Sequence, residues 1–379
     1  MKLLPLAFFW SLWFLNFSSR TVLSPLLPLI EENLSLSHGE AGGLFTSLSI
    51  GYGLSLLIAG RFASVWGCKR VVIASCVGIG FVFVLLQWAD RYLAFHGVFF
   101  LLGLAAGSFS PAMIPIISET YASRHWGKVI GIYDSAASSS VFAVPLLVTF
   151  GLHFLPWKTL LLVLAIAAFL LPIGFGKIAI EPKPTASFQR GYTLNLLKRK
   201  SVWVMALLWV AASASYSGLF SILPLFLIKE RGLSFDYANT LIGISRASGI
   251  FVSIASGFLV DRYGYSLVMA FSLLSTGLST IGIALAPNPT VLMIALIVQA
   301  TLSNVFFPAG LAAIPHLNPS SDRSAATGLI LFFGVILGNG ISPLLLGVTA
   351  DHISFHIGIL GFGILISVSP LILRFLHKA

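Results

Sequence analysis

The chain has 379 residues, 57% of them hydrophobic and only 9% charged, and its mean hydropathy is +0.98. A soluble domain carries about 25% charged residues, so this composition excludes a water-facing globular surface and points to lipid as the surrounding medium. On such a chain the net charge of +10 reports orientation rather than nucleic acid as a partner, because Lys and Arg collect in cytoplasmic loops.

A membrane-spanning helix takes about 20 largely apolar residues. In chain order, twelve segments meet that length, at residues 5–30, 40–62, 70–89, 92–118, 127–150, 157–177, 201–228, 237–260, 265–286, 290–315, 324–350 and 354–376. The expected fold class is an all-α membrane protein with twelve transmembrane helices. The first segment follows Met1-Lys2 and runs past Arg20 to Ile30 without a small-residue cleavage site, so it is expected to span rather than to be a signal peptide. Cys68 is expected in a loop and Cys76 within an apolar helix; no disulfide and no metal-ligand spacing follows from them. Prolines 224, 308, 315 and 343 are expected to kink their helices. The stretch after the sixth segment contains Pro182, Pro184 and Lys198-Arg199-Lys200. It divides the chain into 1–178, a cytoplasmic linker 179–200, and 201–379.

The basic residues set the orientation. With both termini cytoplasmic, sixteen of the 22 Lys and Arg fall inside, among them Lys2, Arg61, Lys69, Arg70, Arg124, Lys128, Lys183, Arg190, Arg262 and Lys378. Four fall outside: Arg91, Lys158, Lys229 and Arg231. The expectation is a multi-pass protein of the inner, cytoplasmic membrane.

An internal repeat supports the division. Gly60-Arg61-Phe62-Ala63-Ser64-Val65-Trp66-Gly67 follows the second span, and Gly257-Phe258-Leu259-Val260-Asp261-Arg262-Tyr263-Gly264 follows the eighth, 197 residues later. Leu36-Ser37 and Leu233-Ser234 match at the same offset. The pattern G-x-x-x-D-R-x-G with following basic residues resembles the signature loop of the major facilitator superfamily. That resemblance covers the whole chain and implies two six-helix bundles, a secondary transporter and alternating access. It implies gating roles for Asp261, Arg262, Lys69 and Arg70, with Asp261 capping a helix start near Gly127. Ser64 stands where the family usually has Asp. Leu102-Gly103-Leu104-Ala105-Ala106-Gly107 resembles the superfamily's helix-4 motif, with Phe99 in place of the Arg associated with proton-coupled members.

An ionised side chain at the bilayer centre costs at least roughly 2.5–3.5 kcal/mol, so intramembrane charges are functional candidates. Arg20 shares a helical face with Asn16 and Ser24. The run Arg20-Thr21-Val22-Leu23-Ser24-Pro25, followed by Pro28, is similar to helix 1 of the anion-cation symporters, which implies that Arg20 faces the substrate path. Arg246 sits mid-way along the eighth span, with Gly249, Ser253 and Gly257 continuing its face and admitting close helix approach. Asp134 opens the small-residue run Ser135 to Ser140. The resemblance would bring it near Arg246, either as a fixed salt bridge or as the coupling residue that takes up a proton when an anion competes for Arg246. Tyr52, Tyr216, Gln299, Asn304 and Asn339 are polar groups on apolar helices, either ligand contacts or interhelical glue.

No Walker loop, Ser-His-Asp set, HExxH or CxxC is present, so no cofactor and no enzyme activity are expected. Two arginines against one aspartate favour a small organic anion, carboxylate or organophosphate, taken up with a proton or another coupling ion by a monomer in the bilayer. The alternative is an exporter of neutral or cationic compounds; a receptor or scaffold without transport is the third.

Overall fold

The computed structural model describes residues 3–122, 125–182, 196, 198–317 and 323–376, with residues 127, 250, 253, 254, 324 and 325 described in backbone only. Lys2, Arg124, Lys183, Pro184, Arg190 and Lys378 lie outside the described residues, as does most of the expected linker. The described residues form helices and no strand. We label them α1 (Leu3–Thr21 and Leu23–Leu34), α2 (His38–Trp66), α3 (Cys68–Leu86), α4 (Tyr92–Gly107 and Phe109–Thr120), α5 (Trp126–Leu152) and α6 (Trp157–Ile178). The second half continues with α7 (Lys200–Ser213 through Phe226–Glu230), α8 (Phe235–Ser245 and Gly249–Tyr263), α9 (Tyr265–Leu285) and α10 (Pro289–Asn304 and Phe306–Leu317). It ends with α11 (Arg323–Phe333 through Ser342–His352) and α12 (Phe355–Val368, then a 3₁₀ turn Ser369–Phe375). Ten of these are long and apolar enough to cross a membrane; α1 and α8, each interrupted, complete the twelve. Large apolar side chains stand on outer surfaces, such as Leu93 at 81% and Trp88 and Phe251 at 73% exposure. Hydrocarbon tolerates this arrangement and water does not.

Prolines account for three of the interruptions. The helix breaks at Val22, Ser108 and Val305, each three residues before a proline (Pro25, Pro111, Pro308). Proline lacks the N–H and its ring crowds the carbonyl four residues back. The α8 interruption has no proline; Arg246, Ala247 and Gly249 instead bond three residues back, to Gly243, Ile244 and Arg246, a local 3₁₀ turn. Pi-helical segments occupy Ala214–Gly218 and Phe226–Glu230 of α7, on either side of Pro224, and Gly334–Ile341 of α11, just before Pro343.

The repeat offset governs these irregularities. Ser108 and Val305 lie 197 apart, as do in pairs the four positive-φ positions among the described residues, Ser35 (52°) with Gly232 (65°) and Gly67 (89°) with Gly264 (79°). Ser75 donates to the Ala105 carbonyl at 2.6 Å, and Ser272, at the same offset, to the Leu302 carbonyl at 2.8 Å. Each hydroxyl ties one helix to its neighbour beside a break.

The chain forms two compact units: Met1–Leu34 with Ser47–Arg190, and Ser35–Thr46 with Gly191–Ala379. The first packs around Phe9, Leu12, Trp13, Phe109, Met113 and Phe175; the second around Met205, Trp209, Met269, Phe306 and Ile330. In the first unit Gly103 lies so close to the Leu48 carbonyl of α2 that any side chain would collide with it. This is what the glycine of the helix-4 motif supplies.

Charged side chains complete several helix ends. Glu181 accepts from the Cys68 and Lys69 amides (2.6 and 3.1 Å) at the start of α3, and Lys158 reaches the Gln87 and Ala89 carbonyls at its end (3.3 and 3.1 Å). Cys68 is therefore the first residue of a helix rather than part of a loop. In the second unit Glu230 caps α12 through Phe355 and His356, Asp351 caps α2 through His38 and Gly39, and Arg231 bonds the last carbonyls of α9. Carboxylates at N-termini and cations at C-termini match the helix dipole.

Gly67 and Gly264 separate two effects. Both hold a backbone conformation that costs a non-glycine residue about 1–3 kcal/mol. A Cβ at Gly264 meets nothing within 4 Å, whereas one at Gly67 meets Glu181 Oε1 at 2.8 Å. Gly67→Ala should therefore lower the melting temperature of the detergent-solubilised protein more than Gly264→Ala. Equal shifts would mean that the Glu181 cap contributes nothing.

Candidate functional site

Trp13, Asn16 and Arg20 follow one another at three and four residues along α1, which places them on one face. Asn16 is fully buried and its amide nitrogen donates to the Ala106 carbonyl of α4 at 3.1 Å; its Oδ1 has no partner. The Arg20 guanidinium lies between the rings of Phe17 and Tyr52, at 4.6 and 4.5 Å from their centroids. Its Nε and Nη2, adjacent donors on one edge, have no acceptor. Cation–π contact of this kind contributes about 0.5–2 kcal/mol but satisfies no N–H. The Trp13 indole is stacked between Phe109 (5.7 Å, 12°) and Tyr133 of α5 (5.6 Å, 16°). The face on α1 predicted from Asn16, Arg20 and Ser24 thus extends N-terminally to Trp13. Ser24 itself is buried beyond the break at Val22.

Asp134, on α5, keeps an exposed surface while its carboxyl lies beside the Trp13 indole. The indole N–H nonetheless makes no hydrogen bond of ordinary geometry, so the two are neighbours rather than a closed pair. The same holds for the Tyr133 hydroxyl and its neighbour Ser110. The small residues after Asp134 bind α1: Ser135 accepts from Trp10 at 3.1 Å, and Ser140 shares protons with Ser18 (2.9 Å) and Thr21 (3.0 Å).

In the second unit Arg246 is 3% exposed. Its guanidinium stands 5.1 Å from the ring centroids of both Tyr216 and Phe220. Nη2 donates to the Tyr216 carbonyl at 3.4 Å, and Nε and Nη1 have no acceptor. Gln299 donates to the adjacent Ser215 carbonyl at 2.8 Å. Both acceptors belong to the pi-helical segment of α7, where the regular ladder is disturbed and carbonyls become available to side chains. Gln299 thus ties α10 to α7 through its amide nitrogen. Asn304 bonds its own helix, to the Ala300 carbonyl at 3.2 Å, and fills the space that Gly249 leaves. Asn339 lies in the pi segment of α11 with Oδ1 unpartnered. Gly257, expected to admit a close helix, has no atom within 4 Å of where its Cβ would stand.

The loop residues are arranged more simply. Asp261 and Arg262 are exposed at the end of α8, with Arg262 over the Tyr263 ring at 5.3 Å. Lys69 and Arg70 form the first turn of α3.

Sequence reasoning missed Trp13, Tyr133 and Asn239. Asn239 is fully buried with both amide atoms unpartnered. The signal was present: Asn239 precedes Arg246 by seven residues, as Trp13 precedes Arg20, and seven residues are two turns on the same face.

The family model described as Major Facilitator Superfamily matches residues 9–289 and 247–379. The chain is 24% identical over 264 residues to the hexuronate transporter of Bacillus subtilis, covering 66% of this chain and 62%, under two thirds, of that protein. It is 21% identical to the cis,cis-muconate transport protein of Acinetobacter baylyi (90% of this chain, 86% of that one) and 23% identical to the multidrug resistance protein MdtL of Klebsiella pneumoniae (83% and 81%). Among solved structures, a point mutant of the nucleoside transporter NupG superposes with a TM-score of 0.85 at 16% identity, over 99% of this chain and all of that one. At that identity the likeness shows the fold alone.

A buried guanidinium with two unpartnered donors opposes folding, and a well-packed apolar replacement is often neutral or stabilising. Arg246→Met should leave the melting temperature of the ligand-free protein equal or higher. A drop of several degrees would mean that Arg246 is structural.

Proposed function

We propose that this chain, which belongs to the Major Facilitator Superfamily, moves small organic anions across the membrane by secondary active transport. The observation that carries the proposal is the pair of membrane-embedded arginines, Arg20 and Arg246, each held between aromatic rings with donors left unpartnered. Charge buried without a partner is costly; a carboxylate or organophosphate supplies both the charge and the acceptors. Arginine suits such groups because it binds them through two parallel N–H bonds, and on Arg20 the unpartnered Nε and Nη2 share one edge. Two relatives whose names specify carboxylates, hexuronate and muconate, support the same class.

In this reading Asn16, Ser24 and Tyr52 contact substrate in the first unit and Tyr216 and Asn339 in the second, and Asp134 carries the coupling proton. Asp261, with Arg262, Lys69 and Arg70, governs opening on the cytoplasmic side, where both termini are placed by the distribution of Lys and Arg. The exposed position of Asp134 and the multidrug relative favour the second reading, export of neutral or cationic compounds. The two arginines weigh against it, since either would repel a cation.

Uptake of radiolabelled carboxylates and organophosphates into proteoliposomes, beside dye efflux, tests the assignment. Arg20→Ala and Arg246→Ala should each lower anion affinity about 10- to 100-fold, the equivalent of one charge-assisted bond at about 1.5–3 kcal/mol. Lys should restore little at either position. Asp134→Asn should retain exchange of substrate but lose accumulation driven by a proton gradient. Dye efflux without anion uptake, or unaltered affinity in both alanine variants, would overturn the anion assignment.

A further inference from the structure

Among the described residues of the first unit, every buried side-chain nitrogen or oxygen without a hydrogen-bond partner belongs to Trp13, Asn16, Arg20 or Tyr133. These residues are adjacent: the first three share a face of α1, and Tyr133 stacks on Trp13. Randomly placed packing faults would be scattered through the unit; these are gathered in one place.

The chemistry of the cluster is specific. The Asn16 amide nitrogen is committed to the Ala106 carbonyl, an acceptor, which fixes the side chain's orientation. The remaining Oδ1 can only accept a hydrogen bond. Arg20 Nε and Nη2 can only donate, and the Tyr133 hydroxyl can do either. Phe109 and Tyr133 cover both faces of the Trp13 ring, so the indole offers its N–H edge in a fixed direction and no face for stacking. A carboxylate answers Arg20 but leaves Asn16 Oδ1 facing an acceptor or a hydrocarbon. A hydroxyl on the same ligand completes the set, and Arg20 one turn away favours an anionic body carrying it.

We propose that the first unit recognises a polyhydroxylated carboxylate of sugar-acid type. Its carboxylate engages the Nε–Nη2 edge of Arg20, and one hydroxyl donates to Asn16 Oδ1. A second hydroxyl bonds the Tyr133 hydroxyl, while the Trp13 N–H stays beside the Asp134 carboxyl. The assignment rests on the anion reading of Arg20 and narrows it. A site built to bond a substrate hydroxyl discriminates strongly against analogues that lack it, because its own polar atoms then stay buried and unpaired.

The experiment measures binding to the purified full-length protein by titration calorimetry. The probes are galacturonate and gluconate, hexanoate and cis,cis-muconate without hydroxyls, and uncharged galactose. Galacturonate or gluconate should bind at least tenfold tighter than hexanoate and muconate, and galactose should not bind measurably. Asn16→Ala should remove most of that preference. Because Asn16→Ala also deletes the bond to Ala106, Tyr133→Phe is the second variant. It keeps the ring stack, should melt with the wild type, and should weaken only the hydroxylated acids, several-fold. Equal affinity of the wild type for hydroxylated and unhydroxylated acids would overturn this inference and leave the anion assignment standing. Failure of every carboxylate to bind would overturn both.

Discussion

In hydrocarbon each backbone N–H and C=O must be satisfied by the protein itself, and the structure is organised around where this rule is relaxed. Regular helix satisfies it automatically. Proline at 25, 111 and 308 removes one bond from each ladder, and pi turns in α7 and α11 displace others. Side chains repair part of the loss: Asn16 and Ser75 donate to carbonyls at the end of the first half of α4, and Gln299 and Arg246 to those of the α7 pi segment. The irregular backbone is thus concentrated where the polar side chains are. Arg20 lies two residues before the break in α1, and Arg246 begins the break in α8.

The arginines themselves carry an unfavourable term that the fold tolerates. Each is flanked by two aromatic rings, which are polarisable and offset some of the desolvation, but aromatic faces do not accept N–H groups as carbonyls do. A protein selected only for stability would fill these positions with apolar side chains. Binding sites in general keep function at the expense of stability, which makes an unpartnered donor more informative than a hydrogen-bonded one. By that standard Gln299, whose amide is engaged with Ser215, is less telling than Asn239, whose amide is engaged with nothing.

The two halves preserve their turns and breaks more closely than their chemistry. Positive-φ turns, the breaks in α4 and α10, and the hydroxyl-to-carbonyl bonds beside them recur at a single offset. These are steric requirements, insensitive to substrate. The candidate functional charges Arg20, Arg246 and Asp261 do not recur. At the same offset Ser64 matches Asp261, Ser217 matches Arg20 and Ser49 matches Arg246.

The sequence by itself determined the twelve spans, the repeat, and the exceptional status of Arg20, Arg246 and Asp134. Spanning length, proline geometry and the cost of an intramembrane charge are local properties, legible one segment at a time. Which polar groups remain unpartnered was decided only by the tertiary structure. The α1 face of Asn16 and Arg20 was visible from spacing. That Trp13 is clamped by Phe109 and Tyr133, that Asn16 keeps a lone acceptor, and that Gly257 faces open space while Gly249 accommodates Asn304 were not. Hydrogen-bond satisfaction depends on which atoms neighbouring helices bring within about 3 Å, and residues distant in sequence supply them.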